Sequence, residues 1–142
     1  MTKFLPRKEV ESLADFALSL VKKSGAWGAD FAYSEGSGHS LTLKDGEIEE
    51  SVSGSSAGIG IRTIFEDGRQ GIAAGNRLDR ASVKALAEWS VHNAKLSEPE
   101  ECVGLYDGPL IRRPELEVED ARIRKITPAD RMRYCLELPR AA

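Results

Sequence analysis

The sequence predicts an α+β fold: a two-layer sandwich in which about five mainly antiparallel strands form a meander and two helices cover one face. A C-terminal connector and a short helix follow. Three observations predict this. An apolar stripe of helical period near the N-terminus gives way, from Ala29 to Gly75, to alternation of period two. Asp45-Gly46 and Asp67-Gly68 punctuate the alternating stretch as turns. A second helical stripe then begins behind Asp79, a good N-cap residue. Helices gathered against an antiparallel sheet bury both apolar surfaces in two layers.

The first helix starts near Pro6, whose missing N–H costs nothing in a first turn. Val10, Leu13, Ala14, Ala17, Leu20 and Val21 share one face of it. Lys22 and Lys23 suit the negative end of its dipole, and Gly25 suits the exit turn. The strands follow. Phe31 and Tyr33 alternate with Ala32 and Ser34, and Leu41 and Leu43 with Thr42 and Lys44. Asp45-Gly46 is a two-residue hairpin signal, because a type I′ turn needs positive φ at both positions. Ile48, Glu50 and Val52 make the next alternating set, and Ile59, Ile61, Thr63 and Phe65 another, before Asp67-Gly68 turns the chain into Arg69–Ala74. Such sheets keep one face apolar and one wet. In the second helix Val83, Leu86, Ala87, Val91 and Ala94 form the stripe. Beyond Leu96 periodicity fades until Thr127-Pro128-Ala129-Asp130, a capping box with Asp in place of Glu, opens a helix carrying Met132, Cys135 and Leu136. Residues 1–98 are therefore expected to form the α+β domain and 99–126 an extended connector. Residues 127–142 are expected to begin a helix that meets Pro139 and belongs to a following region.

A chain of 142 residues suits one domain and buries roughly two thirds of its unfolded surface. With 41% hydrophobic and 30% charged residues it has the composition of a globular protein. No apolar run nears the roughly 20 residues of a membrane span. The N-terminus is too charged for a signal peptide, which places the protein in the cytoplasm. The net charge is −3, and the basic residues of 112–140 are interspersed with acids. That argues against nucleic acid as a partner, since phosphate binding wants an undiluted basic stripe. Cys102 and Cys135 are isolated, lack metal or redox spacing, and read as small hydrophobes.

Candidate chemistry is sparse. His39 and His92 have no ligand partner at helical spacing and read as solvated or packed side chains. Ser51, Ser53, Ser55 and Ser56 form no nucleophile elbow. Alternation puts Glu47 and Glu49 in solvent, where they blunt strand association. Gly54, Gly58 and Gly60 match no phosphate loop. Gly58, Gly60 and Arg62 do share the sheet face opposite Ile59 and Ile61. That flat, bare face, ending in one guanidinium, is the candidate contact for an extended peptide or a partner domain.

The order of these features carries a resemblance. Asp45-Gly46 with Glu47-Ile48-Glu49, then Gly58-Ile59-Gly60-Ile61-Arg62, then Gly71-Ile72-Ala73-Ala74 and the Asp-capped helix resemble the N-terminal domain of the TldD/PmbA family. The tail SEPEECVGLYDGP points to its PmbA (TldE) branch. The resemblance implies a cytoplasmic zinc-metallopeptidase system, also named a modulator of DNA gyrase. In it TldD-type and PmbA-type subunits pair as homo- or heterodimers and cleave unfolded peptides. It places zinc only in the C-terminal domain of a TldD-type subunit, on a His-Glu-x-x-x-His helix with a further cysteine. That motif has no counterpart in this sequence. No catalytic residue, cofactor site or metal ligand is therefore assigned here, and the chain alone is expected to hydrolyse nothing. The expected role is a non-catalytic domain that aids subunit assembly and substrate enclosure. Two alternatives are a free-standing interaction module using the sheet face or edge, and a small enzyme built on His39 or His92 with a nearby carboxylate.

Overall fold

The computed structural model describes residues 4–109, 120 and 122–141. Its elements run α1 (Arg7–Lys23), β1 (Gly28–Lys44), β2 (Glu47–Ile64), β3 (Gln70–Gly75), α2 (Arg80–Leu96), a 3-10 turn (Ile123–Lys125) and α3 (Pro128–Ala141). Among the described residues the sheet has three strands in the order β1-β2-β3, and the expected five are not found there. The Gly- and Ser-rich stretches around 36–38 and 53–56 do not break strands. They lie within β1 and β2, neighbouring strands whose ladder supplies hydrogen bonds that local propensity does not encode.

Contacts divide the chain into two units. The first comprises the residues up to Gly36 together with Ser55–Asp107. Here β2 pairs antiparallel with β3, with Ile59 opposite Gly75, Ile61 opposite Ala73 and Thr63 opposite Gly71. Ile59, Ile61 and Ala73 face inward and meet Ala17 and Val21 of α1 and Val83, Leu86 and Ala87 of α2. Both predicted helical stripes thus supply the core. Sequence reasoning passed over Ser90, which is fully buried on the same face of α2. Its hydroxyl lies 2.8 Å from that of Thr63 and donates to the Ala87 carbonyl at 2.9 Å, so neither buried polar group is left unpaired.

Helix α2 approaches β3 closely enough to exclude any side chain at Gly71. A Cβ there would overlap the Ala94 nitrogen and the Ser90 carbonyl oxygen, and would stand 2.7 Å from the Asn93 carbonyl carbon. The side chain of Asn93 also donates to the Ile72 carbonyl at 2.9 Å. Asp79 caps α2 by accepting from the Ser82 amide at 2.9 Å and the Ser82 hydroxyl at 2.7 Å. The amide bond, with the hydroxyl bond next, holds the Asp79 carboxyl below its ordinary range. The start of the segment read as a connector touches this unit. The Glu100 amide donates to the Gly68 carbonyl at 3.2 Å, and Leu105 lies against Gly28. Cys102 is exposed and has a positive φ of 66°.

The second unit comprises Ser37–Gly54 and the residues from Gly108. Asp45 and Gly46 both have positive φ, 52° and 84°, as a type I′ turn requires. Residues 47–54 are all exposed, so the alternation of Ile48 and Val52 with glutamates buries neither side there. The Thr127–Asp130 capping box forms: the Thr127 amide donates to Asp130 at 3.0 Å, and the Asp130 amide to the Thr127 hydroxyl at 3.2 Å. The Thr127 hydroxyl, followed by its amide, holds the Asp130 carboxyl low. Helix α3 runs past Pro139 to Ala141. Within the stretch read as extended, Ile123–Lys125 forms a 3-10 turn, while residues 110–119 and 121 lie outside the described residues.

Candidate functional site

The sheet face away from α1 and α2 follows from the period of β2. Ala57, Ile59, Ile61 and Thr63 are buried, and Gly58, Gly60 and Arg62 take the intervening half-buried positions. On β3 the outward residues opposite them are Ala74, beside Gly60, and Ile72, beside Arg62. On β1, Ala32 is the nearest side chain to Gly60. Small residues therefore leave the strip shallow, and Ile72 stands out of it at 61% exposure.

The two glycines differ in what they tolerate. A Cβ at Gly60 would meet only the Ala32 methyl at 4.0 Å, an ordinary contact. At Gly58 it would press on the Gly75 carbonyl oxygen at 3.3 Å. Gly60 is thus dispensable for packing, and Gly58 is constrained by its neighbour strand. Arg62 does not offer a free guanidinium. Its Nε donates to Asp30 Oδ2 at 2.6 Å, and a second nitrogen contacts the same carboxylate oxygen. The strip ends in a neutral ion pair, so its chemistry is apolar contact with a polar rim.

The residues set aside as catalysts stay apart. His39 is exposed, with Nδ1 2.7 Å from the Ser53 hydroxyl, and His92 is exposed on α2. Glu47, Glu49 and Glu50 are all exposed. Among the described residues no group of three or more His, Cys, Asp or Glu side chains is placed to hold a metal ion. No described helix is long and apolar enough to cross a membrane. Gly71 and Ser90, which set the spacing of helix and sheet, were missed as such. Their signal was small residues recurring on the inward positions of facing elements.

The family profile of PmbA/TldA metallopeptidase domain 1 matches residues 29–94. The chain is 29% identical over 116 residues to the metalloprotease PmbA homolog of Haemophilus influenzae, covering 80% of this chain and 25% of that protein. It is 28% identical over 105 residues to metalloprotease PmbA of Escherichia coli O157:H7, covering 74% and 23%. It thus spans about a quarter of the length of these relatives. Among solved structures, TldE from Thermococcus kodakarensis superposes with a TM-score of 0.59 at 25% identity, over 77% of this chain and 24% of that one. A candidate modulator of DNA gyrase from Bacteroides thetaiotaomicron shares the fold, with a TM-score of 0.75 at 22% identity over 87% and 28%.

Proposed function

From the chain's membership of the TldD/PmbA family, of which it carries the N-terminal domain, we propose that it is a non-catalytic part of a cytoplasmic metallopeptidase subunit. In that role it joins partner subunits and helps to enclose unfolded peptide substrate. The carrying observation is the outward strip of Ala32, Gly58, Gly60 and Ala74 with Ile72 exposed upon it and the Asp30–Arg62 pair at its rim. An apolar, shallow centre with a polar edge suits a protein surface better than a small molecule. Both curated relatives are PmbA proteins and one solved neighbour is a TldE, which favours the PmbA branch. We place the zinc outside this chain, in the C-terminal domain of a TldD-type partner. Its two histidines are exposed, and no described cluster offers three ligands.

A free-standing interaction module using the same strip is the second reading. The strip is preferred to the β3 edge in either case, because Asn93 already occupies the Ile72 carbonyl that an added strand would need. Light scattering of the chain mixed with a purified TldD-type subunit tests the proposal. A complex is expected that Gly60→Val and Ile72→Asp weaken while thermal stability stays near that of the parent. Self-association through the strip, with no complex, assigns the module reading instead. Chelator-sensitive cleavage of a denatured protein by the chain alone would overturn the non-catalytic role.

A further inference from the structure

The second unit holds a cavity of 460 Å³ with a distinct chemical character, lined by His39 and Gly38 from β1, Ile123 and Ile126 beside the 3-10 turn, and Arg131 and Tyr134 from α3. That volume lies in the range of small-ligand sites. Among the described residues its lining contains a guanidinium, an imidazole and a phenol, and no carboxylate. Arg131 is half-buried, and its environment is unusual in this protein. Arg7, Arg62, Arg69, Arg77, Arg122 and Arg133 each pair with a carboxylate, and Arg80 lies over the Phe16 ring. Among the described arginine side chains, Arg131 alone has neither kind of partner. One of its nitrogens donates to the Ile126 carbonyl at 3.1 Å, which steadies the side chain and leaves the rest of the fork available. The neighbouring carboxylate, Asp130, is taken up by Thr127 and Arg133. His39 Nδ1 is engaged by Ser53, leaving Nε2 as the ring's available nitrogen.

We propose that this cavity binds a carboxylate carried on an apolar group, with Arg131 as the principal anion contact, His39 and Tyr134 as supplementary donors, and Ile123 and Ile126 against the apolar part. A partly desolvated guanidinium with no counter-charge among the described residues attracts an anion, and its planar fork matches a carboxylate in two-point contact. The two isoleucines add a term that inorganic anions do not gain. A free carboxylic acid and the C-terminus of a peptide ending in an aliphatic residue share this chemistry.

The test is titration of the isotopically labelled chain, followed by amide chemical shifts, with N-acetyl-leucine, its neutral amide, inorganic phosphate and N-acetyl-Ala-Ala-Leu. N-acetyl-leucine is expected to give saturable shifts confined to Ser37–His39 and Ile123–Tyr134. Arg131→Gln should weaken binding about tenfold, the order expected for losing one charge-assisted hydrogen-bond partner. Tighter binding of the tripeptide assigns the site to peptide ends, and equal binding assigns it to small carboxylic acids. No saturable shift, equal binding of the neutral amide, or equal binding of phosphate would each overturn the proposal. Should Arg131→Gln disturb α3, His39→Gln on β1 provides the second measurement, and unchanged affinity there would remove His39 from the site.

Discussion

Replacing Gly71 by alanine tests the account of how helix and sheet are spaced. The added methyl would overlap backbone atoms of Ser90 and Ala94 in α2, and no flexible side-chain tip is present to yield. The helix must therefore shift. Overpacking of this kind costs about 1–3 kcal/mol. A shift of α2 also stretches the buried Thr63–Ser90 hydrogen bond and the Asn93–Ile72 contact, worth about 1 kcal/mol more. The expected destabilisation is about 3 kcal/mol, which corresponds to roughly 10 °C in Tm for a chain of this size. Gly60→Ala is the matched control, since it adds the same methyl to the same sheet with only an ordinary contact at 4.0 Å. Urea denaturation of both variants measures the difference. If Gly71→Ala unfolds at the same midpoint as Gly60→Ala, the close approach of α2 does not hold the layers as described.

Other expectations follow from the same structure. Thr63→Val leaves Ser90 with its Ala87 acceptor and should cost about 1 kcal/mol, whereas Ser90→Ala strands the buried Thr63 hydroxyl and should cost more. The double variant should recover part of the sum, and a double-mutant cycle in urea reads the coupling. A null coupling would mean the two hydroxyls do not pair. The Asp79 carboxyl sits below its ordinary range because Ser82 donates to its charged form. Its cap therefore adds stability above the unfolded carboxylate pKa and loses it as pH falls through the lower folded value. Asp79→Asn should consequently lie below the parent at pH 7 and close that gap toward pH 3. A gap that is constant with pH would show that charge plays no part in the cap.

Much of the fold was legible because its signals are local. The apolar periods of α1 and α2 supply Ala17, Val21, Val83, Leu86, Ala87 and Ala94 to the core. Asp79 and the Thr127–Asp130 pair cap helices through contacts three residues apart. The Asp45-Gly46 turn needs only its own dihedrals. The strand count was not legible. Gly36, Gly38 and Gly54 weaken a strand by propensity, yet pairing between β1 and β2 carries the ladder through them. The candidate face was half legible: alternation put Gly58, Gly60 and Arg62 on one side, but only the cross-strand neighbour shows that Asp30 neutralises the arginine.

By itself the sequence determined which residues turn, cap and share a face, and the resemblance to the TldD/PmbA family that the profile over residues 29–94 matches. Those properties depend on side chains within a few positions of one another and on their order along the chain. Tertiary structure alone decided the length of the strands, the bare spacing at Gly71, the pairing of Arg62 with Asp30, and the cavity that gathers His39 with Arg131 and Tyr134. Each of these rests on groups brought together from distant positions. The free energy of such a contact belongs to the pair, and neither member reveals it alone.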